Sequence, residues 1–478
     1  MRVVSKTLTT RWVLMAAIWL QLAGCGEQNS EQPGSSSRWA VPSEDSIARL
    51  LADRMEHNGV GMVVGVIDGE RRMIVAHGES GAANGRSLDG ATLFQLGSLT
   101  KVITGLLLSE LVAGGEVALD DPVSTFLPSA VTMIEAGRPI TLRDLATHTS
   151  GLPSMPTNFD IHGQPDPYEA YPVDSLWSFL SSYRPGRAPG TAYEYSNLGV
   201  SLLGRALALR AGTTYEALVR ERVLTPLGMN STSITLDSDQ RERLAPGHGP
   251  DLRPIRTMEM ATLQASGSLR STADDMLRLL DAYLGRTDAP RFAEAAKLQL
   301  REGVQIDSTF RPLGLGLRSD GTYVHAGGKE GYRSGLAFNP GTGIGAVVLA
   351  NTRTYDSEPM AIALYLATGE PLPPASRAPA AKPHVGMSSD ELARFAGRYR
   401  SEDGRAWEVA VAGELLRIRY PNSSIFEFVP SGPRDFFYNA GNDDITFVED
   451  AEGRVVGMTV YGDGKVAGSG QVAARVES

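Results

Sequence analysis

Apolar positions along this chain recur in two rhythms. Between Phe94 and Gly115 they fall at Leu99, Val102, Ile103, Leu106, Leu107 and Leu111, the spacing that lines one side of a helix, and Gly114-Gly115 ends the run. The stretches SNLGVSLLGRALALRAG and ADDMLRLLDAYLG predict further helices. VGMVVGVIDG (60–69) and RRMIVAHG (71–78) instead predict a hairpin turning at Asp68-Gly69. SGLAFNP (334–340) and GIGAVVLANT (343–352) predict later strands. Strands on both sides of a helix-rich middle imply an α+β body, with one sheet built from distant segments and a helical region inserted between them.

The pattern changes after residues 370–383, EPLPPASRAPAAKP, where five prolines in fourteen residues forbid helix interior and central strand alike. We place a linker at 371–386. Beyond it, alternation dominates: Trp407, Val409, Val411; Leu416, Ile418, Tyr420; Phe426, Phe428; Ile445, Phe447; Val456, Met458, Val460. Turn residues at 402–404 and 450–453 separate the runs, so residues 387–478 predict a small all-β domain, a sheet or a barrel.

Length agrees with more than one unit, since 478 residues exceed an ordinary single core. A content of 42% hydrophobic and 21% charged residues is that of a globular protein. The 45 basic and 55 acidic residues leave a net charge of −10, which argues against a nucleic-acid partner.

The first residues read as an export leader: Arg2, Lys6 and Arg11 precede an eleven-residue run, WVLMAAIWLQL, too short to span a bilayer comfortably. The run ends in Leu22-Ala23-Gly24-Cys25, which resembles the lipobox of bacterial lipoproteins. That resemblance implies removal of residues 1–24 and lipidation of Cys25, the only cysteine, which would tie the protein to a membrane. The alternative is a leader cleaved elsewhere that leaves a free thiol. Loss of the leader leaves 42 basic against 55 acidic residues, a net −13. Residues 25–37 read as a polar tether and 38–370 as the folded body. Gly26 is not an acidic retention signal, so the expected location is the cell envelope, on the periplasmic side of the outer membrane if the organism is Gram-negative.

Candidate chemistry starts at Ser98. Lys101, three residues on, lies on the same side of a helix and reaches its hydroxyl. An amine among apolar neighbours has a depressed pKa and accepts a proton readily, which makes the pair an activated nucleophile. A capping serine followed by a snorkelling lysine gives the same spacing without chemistry. Downstream, Tyr195-Ser196-Asn197 sits at a turn-to-helix junction, where a phenol relays a proton and a carboxamide holds a carbonyl. His325-Ala326-Gly327-Gly328 follows near the end of a predicted strand, where glycine allows close backbone approach and the Gly328 amide joins that of Ser98 around an oxyanion. Lys329 is a rival to His325 for the electrostatic role. Tyr420-Pro421-Asn422, His57-Asn58-Gly59 and His384-Val385-Gly386 read as chance copies. The chain has no Gly-x-Ser-x-Gly elbow and no His-Glu-x-x-His signature, and its seven histidines lack ligand spacing, so no metal or cofactor is implied.

Ser98-Leu99-Thr100-Lys101, Tyr195-Ser196-Asn197 and His325-Ala326-Gly327, in that order, resemble the three motifs of the penicillin-recognising serine hydrolases. ALDDPVSTFLP, ITLRDLATHTSGLP and ASGSLRSTADDM extend the likeness over about residues 38–351. The resemblance implies a β-lactamase/transpeptidase-like fold. It further implies Ser98 as acylated nucleophile, Lys101 and Tyr195 as the proton-handling pair, Asn197, His325 and Gly327 as substrate-binding residues, and the Ser98 and Gly328 amides as oxyanion hole. His148 reads as structural. The third motif departs from the Lys-Thr-Gly of β-lactamases, and an imidazole holds a carboxylate less firmly than an ammonium. The expectation is therefore a small-molecule or peptide substrate, a D-amino-acid peptide, amide or ester, with β-lactam hydrolysis or non-catalytic binding of peptidoglycan fragments as alternatives.

Overall fold

The strand Gly61–Asp68 is apolar on both sides and feeds two cores at once: Val63 and Ile67 enter one, Met62, Val64 and Val66 the other. Such a strand needs cover on both faces. In the computed structural model it lies in a six-stranded antiparallel sheet, ordered Arg71–Gly78, Gly61–Asp68, Ile344–Ala350, Tyr332–Asn339, Tyr323–Lys329 and Gly316–Leu317. Val64 stands opposite Val348, so early and late parts of the chain share one sheet. Helices Glu44–Met55 and Glu358–Thr368 cover one face, and Ala273–Tyr283 covers the other. Sheet and helices together form the α+β body that the sequence predicts, with one sheet built from distant segments.

Described are residues 39–56, 59–162, 166–249, 252–257, 259–352, 358–375, 382–438, 441, 443–462 and 470–476. Cys25, the leader, the tether and His57-Asn58 lie outside the described residues. Among the described residues no helix is long and apolar enough to cross a membrane.

Helix Thr100–Ala113 is enclosed more fully than a one-sided stripe requires. Its polar members Thr100, Lys101, Thr104, Ser109 and Glu110 are buried along with its leucines. It runs through the middle of the larger core, with Pro290–Arg301 packed along it. A lysine on such a helix is buried wherever it points.

Eight strands between Gly397 and Val476 close into an antiparallel barrel in which each strand pairs with its sequence neighbours and the first, Gly397–Arg400, pairs with the last, Gln471–Val476. The alternating residues Trp407, Val409, Leu416, Ile418, Phe428, Ile445, Phe447, Met458 and Val460 fill its interior. Three strands carry too weak an alternation to be read from the sequence: Gly397–Arg400, Asp435–Tyr438 and Gln471–Val476, the last contributing only Ala473 to the core. Val456 corrects another expectation, for it is exposed while Val455 is buried. The register slips between Val448 and Glu449, which face Gly457 and Val455, so a bulge turns Val456 outward.

The barrel holds the body at Phe159, Ile161 and Tyr168. Arg417 Nη1 donates to Ile161 O at 3.3 Å and Arg419 Nη2 to Phe159 O at 2.6 Å. The Tyr168 hydroxyl accepts from the Ile425 amide at 3.0 Å and donates to its carbonyl at 3.3 Å.

Candidate active site

Two short turns bring the motifs together. Gly97 has φ +54, a conformation that disfavours side chains, and a Cβ there would sit 2.7 Å from the Gly328 carbonyl oxygen and 2.8 Å from its amide nitrogen. Glycine thus lets the turn bearing Ser98 touch the strand bearing His325. Gly327 completes the fit, since a Cβ on it would lie 2.1 Å from Leu96 O. Ser98 occupies the one-turn 3-10 helix Gly97–Leu99, which runs directly into Thr100–Ala113. The strand Tyr323–Lys329 continues through the His-Ala-Gly-Gly stretch instead of ending at it, because Leu336 and Ser334 on the next strand pair with His325 and Gly327.

Lys101 is fully buried. Its Nζ lies 3.0 Å from Ser98 Oγ and 2.6 Å from Ser266 O. Among the described residues no carboxylate pairs with it, and burial alone holds its pKa well below the lysine range. A neutral amine offers two N–H groups and one lone pair. One N–H satisfies Ser266 O, which leaves the lone pair for the Ser98 proton.

Tyr195 closes the other side of the hydroxyl, its phenol donating to Ser98 Oγ at 2.7 Å. Burial pushes its pKa up, and the Ser98 hydrogen bond opposes this only in part. Lys101 Nζ stands 4.9 Å from the centre of its ring. On the phenol stacks His148, at 4.4 Å and 30° between planes. The His148 Nδ1 accepts from the Ser196 amide at 3.1 Å, and burial, then Lys101 and His325, hold its pKa well below the usual imidazole value. His148 is therefore a neutral platform that fixes Tyr195. Its backbone adopts φ 60, a strained conformation for a non-glycine residue.

Asn197 opens helix Asn197–Arg210 behind the Ser196 cap, whose hydroxyl accepts from the Gly199 amide at 2.8 Å. The Asn197 side chain is half-buried and makes no hydrogen bond among the described residues.

His325 Nδ1 lies 2.7 Å from Ala326 O; a carbonyl only accepts, so Nδ1 carries the proton and Nε2 is bare. Enclosure by neighbouring atoms, then the nearby Lys101, push its pKa down to about 4, although part of the ring stays open to the cleft. It is neutral at physiological pH. Lys329, the rival, is four residues further along the strand and pairs with Glu330 at 2.9 Å.

Sequence reasoning missed Arg311, on the strand Thr309–Pro312. Its guanidinium stands 4.2 Å from the Tyr193 ring centre, and it shares with His148, Tyr195 and His325 the wall of a cavity of about 70 Å³. Its buried Nε has no hydrogen-bond partner, and among the described residues no carboxylate pairs with it. The available clue was indirect: a neutral third motif leaves a substrate carboxylate in need of another cation.

Residues 47–370 match the family model described as Beta-lactamase. The chain is 32% identical over 311 residues to the D-alanyl-D-alanine-carboxypeptidase/endopeptidase AmpH of Escherichia coli K12, spanning 60% of this chain and 78% of that one. It is 30% identical to Penicillin-binding protein 4 of Amycolatopsis lactamdurans, spanning 63% and 84%. Among solved structures, a class C beta lactamase from Rhodobacter sphaeroides aligns with a TM-score of 0.58 at 26% identity, over 68% of this chain and 97% of that one. The D-alanine carboxypeptidase AmpC of Burkholderia cenocepacia aligns with a TM-score of 0.58 at 25% identity, over 67% and 97%.

Proposed function

The chain belongs to the Beta-lactamase family, and from that premise we propose a serine hydrolase that acts through an acyl-enzyme on peptides, amides or esters with a D-amino-acid residue at the scissile bond. One observation carries the proposal: Ser98 Oγ sits between a buried amine at 3.0 Å and a phenol at 2.7 Å.

The proton path follows from the two shifted groups. Lys101, with its pKa depressed, takes the Ser98 proton as Oγ attacks the carbonyl carbon. Tyr195, with its pKa raised, stays protonated and donates to the leaving nitrogen or oxygen, then recovers a proton from Lys101. The Ser98 and Gly328 amides take the oxyanion, which the contact between Gly97 and Gly328 supports. Water then releases the acid from Ser98. The unengaged carboxamide of Asn197 binds the substrate amide. Because His325 is neutral, Arg311 supplies the charge for a substrate carboxylate, with His325 accepting a hydrogen bond at Nε2. The name of the AmpH relative, a D-alanyl-D-alanine-carboxypeptidase/endopeptidase, agrees with a substrate ending in a carboxylate.

The lipobox-like sequence supports export and anchoring through Cys25, hence an envelope enzyme acting on wall-derived material. Beta-lactam hydrolysis is the second reading, favoured by relatives that are themselves named Beta-lactamase, such as that of Yersinia enterocolitica at 28% identity.

The test is a fluorophosphonate or penicillin label located by mass spectrometry, beside a panel of D- and L-aminoacyl amides, short esters and a chromogenic cephalosporin. We expect the label on Ser98, turnover of D-configured substrates, and slow, near-stoichiometric reaction with the cephalosporin. Fast cephalosporin turnover would favour the second reading, labelling with no turnover of anything a binding protein, and full activity in Ser98→Ala would end the proposal.

A further inference from the structure

A second cavity, of about 290 Å³, opens between helix Asn197–Arg210, the turn leading into helix Tyr215–Val219, and residues 261–265. Its one charged wall residue is Arg205. The Arg205 Nε is buried and has no hydrogen-bond partner, and among the described residues no carboxylate pairs with this guanidinium. The Trp177 ring stands 5.9 Å from the guanidinium carbon to the ring centre. Removing a cation from water without a counter-ion is costly, and here burial lowers its pKa accordingly. Gln264 and Thr213 line the same cavity, and neither side chain makes a hydrogen bond among the described residues. The rest of the wall is mainly apolar, with Ala208, Leu209, Ala261 and Ala265.

We propose that this cavity is an effector site for a small monoanionic carboxylate with an apolar tail, and that its occupancy alters catalysis at Ser98. One guanidinium, one amide and one hydroxyl suit a carboxylate, and a phosphate dianion would need more donors. The volume is at the lower limit of ligand pockets, so the guest is an aryl or short alkyl acid, not a peptide.

The coupling rests on the reading of Lys101 as the base. Gln264 begins the single turn Gln264–Ser266, and the Ser266 carbonyl holds Lys101 Nζ at 2.6 Å. Tyr215, on the opposite wall, bonds Thr104 Oγ1 at 2.7 Å, and Thr104 in turn donates to Ala265 O at 2.8 Å. Thr104 is one turn beyond Lys101 on the same helix. A ligand that pulls on Gln264 or Tyr215 therefore shifts the group that positions the lysine amine.

Benzoate is the probe and benzyl alcohol its uncharged control, titrated calorimetrically into the full chain with Ser98 free and with Ser98 blocked by a fluorophosphonate. Expected is saturable 1:1 binding of benzoate in both states, none of benzyl alcohol, and at least about tenfold weaker binding in Arg205→Gln. Ala261→Phe, which fills the cavity and keeps the arginine, abolishes binding, so loss of binding does not hinge on the folding of one variant. Saturating benzoate changes the rate of Ser98 labelling at least about threefold in the wild type and leaves Arg205→Gln unaffected. Absence of saturable binding up to roughly 10 mM, equal binding in Arg205→Gln, or binding lost when Ser98 alone is blocked would overturn the site. Binding that follows Arg205 while the labelling rate stays constant would overturn the effector role and leave the catalytic reading intact.

Discussion

At the scale of single residues, the chemistry comes from burial without compensation. Among the described residues no carboxylate pairs with Lys101, and burial disfavours its ammonium form in the folded chain. Its folded pKa lies below its unfolded value, and between the two values the unfolded chain binds the extra proton. Folding stability must therefore rise with pH across that window, by up to about 1.4 kcal/mol per pH unit from this group. We expect the stability of the wild type relative to Lys101→Met, measured by denaturant unfolding at several pH values from 7 upward, to increase with pH; a flat difference would mean that Lys101 is an ordinary ammonium. Arg311 makes the complementary case, a cation facing the cleft with no carboxylate partner among the described residues. Arg311→Gln should raise KM for substrates ending in a carboxylate by about 10- to 100-fold, the worth of one charge-assisted hydrogen bond, and leave neutral esters nearly unchanged. Steady-state kinetics on a matched acid and amide pair checks this. With its pKa pushed down to about 4, His325 should contribute no inflection to the pH profile above pH 6. The three motifs were legible because serine, lysine and tyrosine announce their chemistry by type and spacing. Arg311 was not, because a lone arginine in a hairpin has no local signature and only the fold sets it beside Tyr193 and Tyr195.

At the scale of elements, the site depends on how closely two backbones approach. Gly97 combines positive φ with a near-contact to Gly328, so even a methyl group has nowhere to go. Gly97→Ala should cost about 1–3 kcal/mol in stability from the strained backbone alone. It should also slow Ser98 labelling at least about 100-fold, the scale of losing one oxyanion donor. Thermal melting separates the two effects, since a variant that melts like the wild type yet labels slowly has lost geometry, not folding. The hairpin at 60–78 and the late strands were plain in the sequence because both faces of the sheet are buried and the apolar runs are long. The 3-10 turn at Ser98 was not, because nothing in LGSLTK distinguishes it from the first turn of the helix. In the barrel, alternation located the longer strands and missed the four-residue Gly397–Arg400 and Asp435–Tyr438, although Tyr399, Phe436 and Tyr438 also enter the core. It failed at Val456, where a bulge breaks the period on which the reading relied.

At the scale of the whole molecule, the barrel is tied to the hydrolase body at Phe159, Ile161 and Tyr168. Arg417 is almost wholly buried, pairs with Glu427 at 2.8 Å and reaches across to Ile161 O, while Tyr168 pairs with both polar groups of the Ile425 backbone. The Tyr168 ring in turn stands 5.7 Å from Lys329 Nζ, next to Gly328 in sequence. Composition predicts a linker at the proline-rich stretch, yet it could not reveal this contact, because arginine on a β-strand ordinarily faces water. Removing Arg417 strips the carboxylate of Glu427 of this partner and frees Ile161 O, while Arg419 keeps its hold on Phe159 O. Arg417→Met should lower stability by about 3–5 kcal/mol, the usual cost of breaking a largely buried ion pair from one side. The functional effect should be selective: kcat/KM for a peptide that extends along the rim falls about tenfold, equivalent to about 1.4 kcal/mol, while labelling by a small fluorophosphonate keeps its rate. Equal losses for both reagents would mean that the barrel merely stabilises the body. A selective loss would mean that the barrel shapes the cleft through the segment that carries Ile161 and Tyr168, whose ring stands 5.7 Å from Lys329 Nζ.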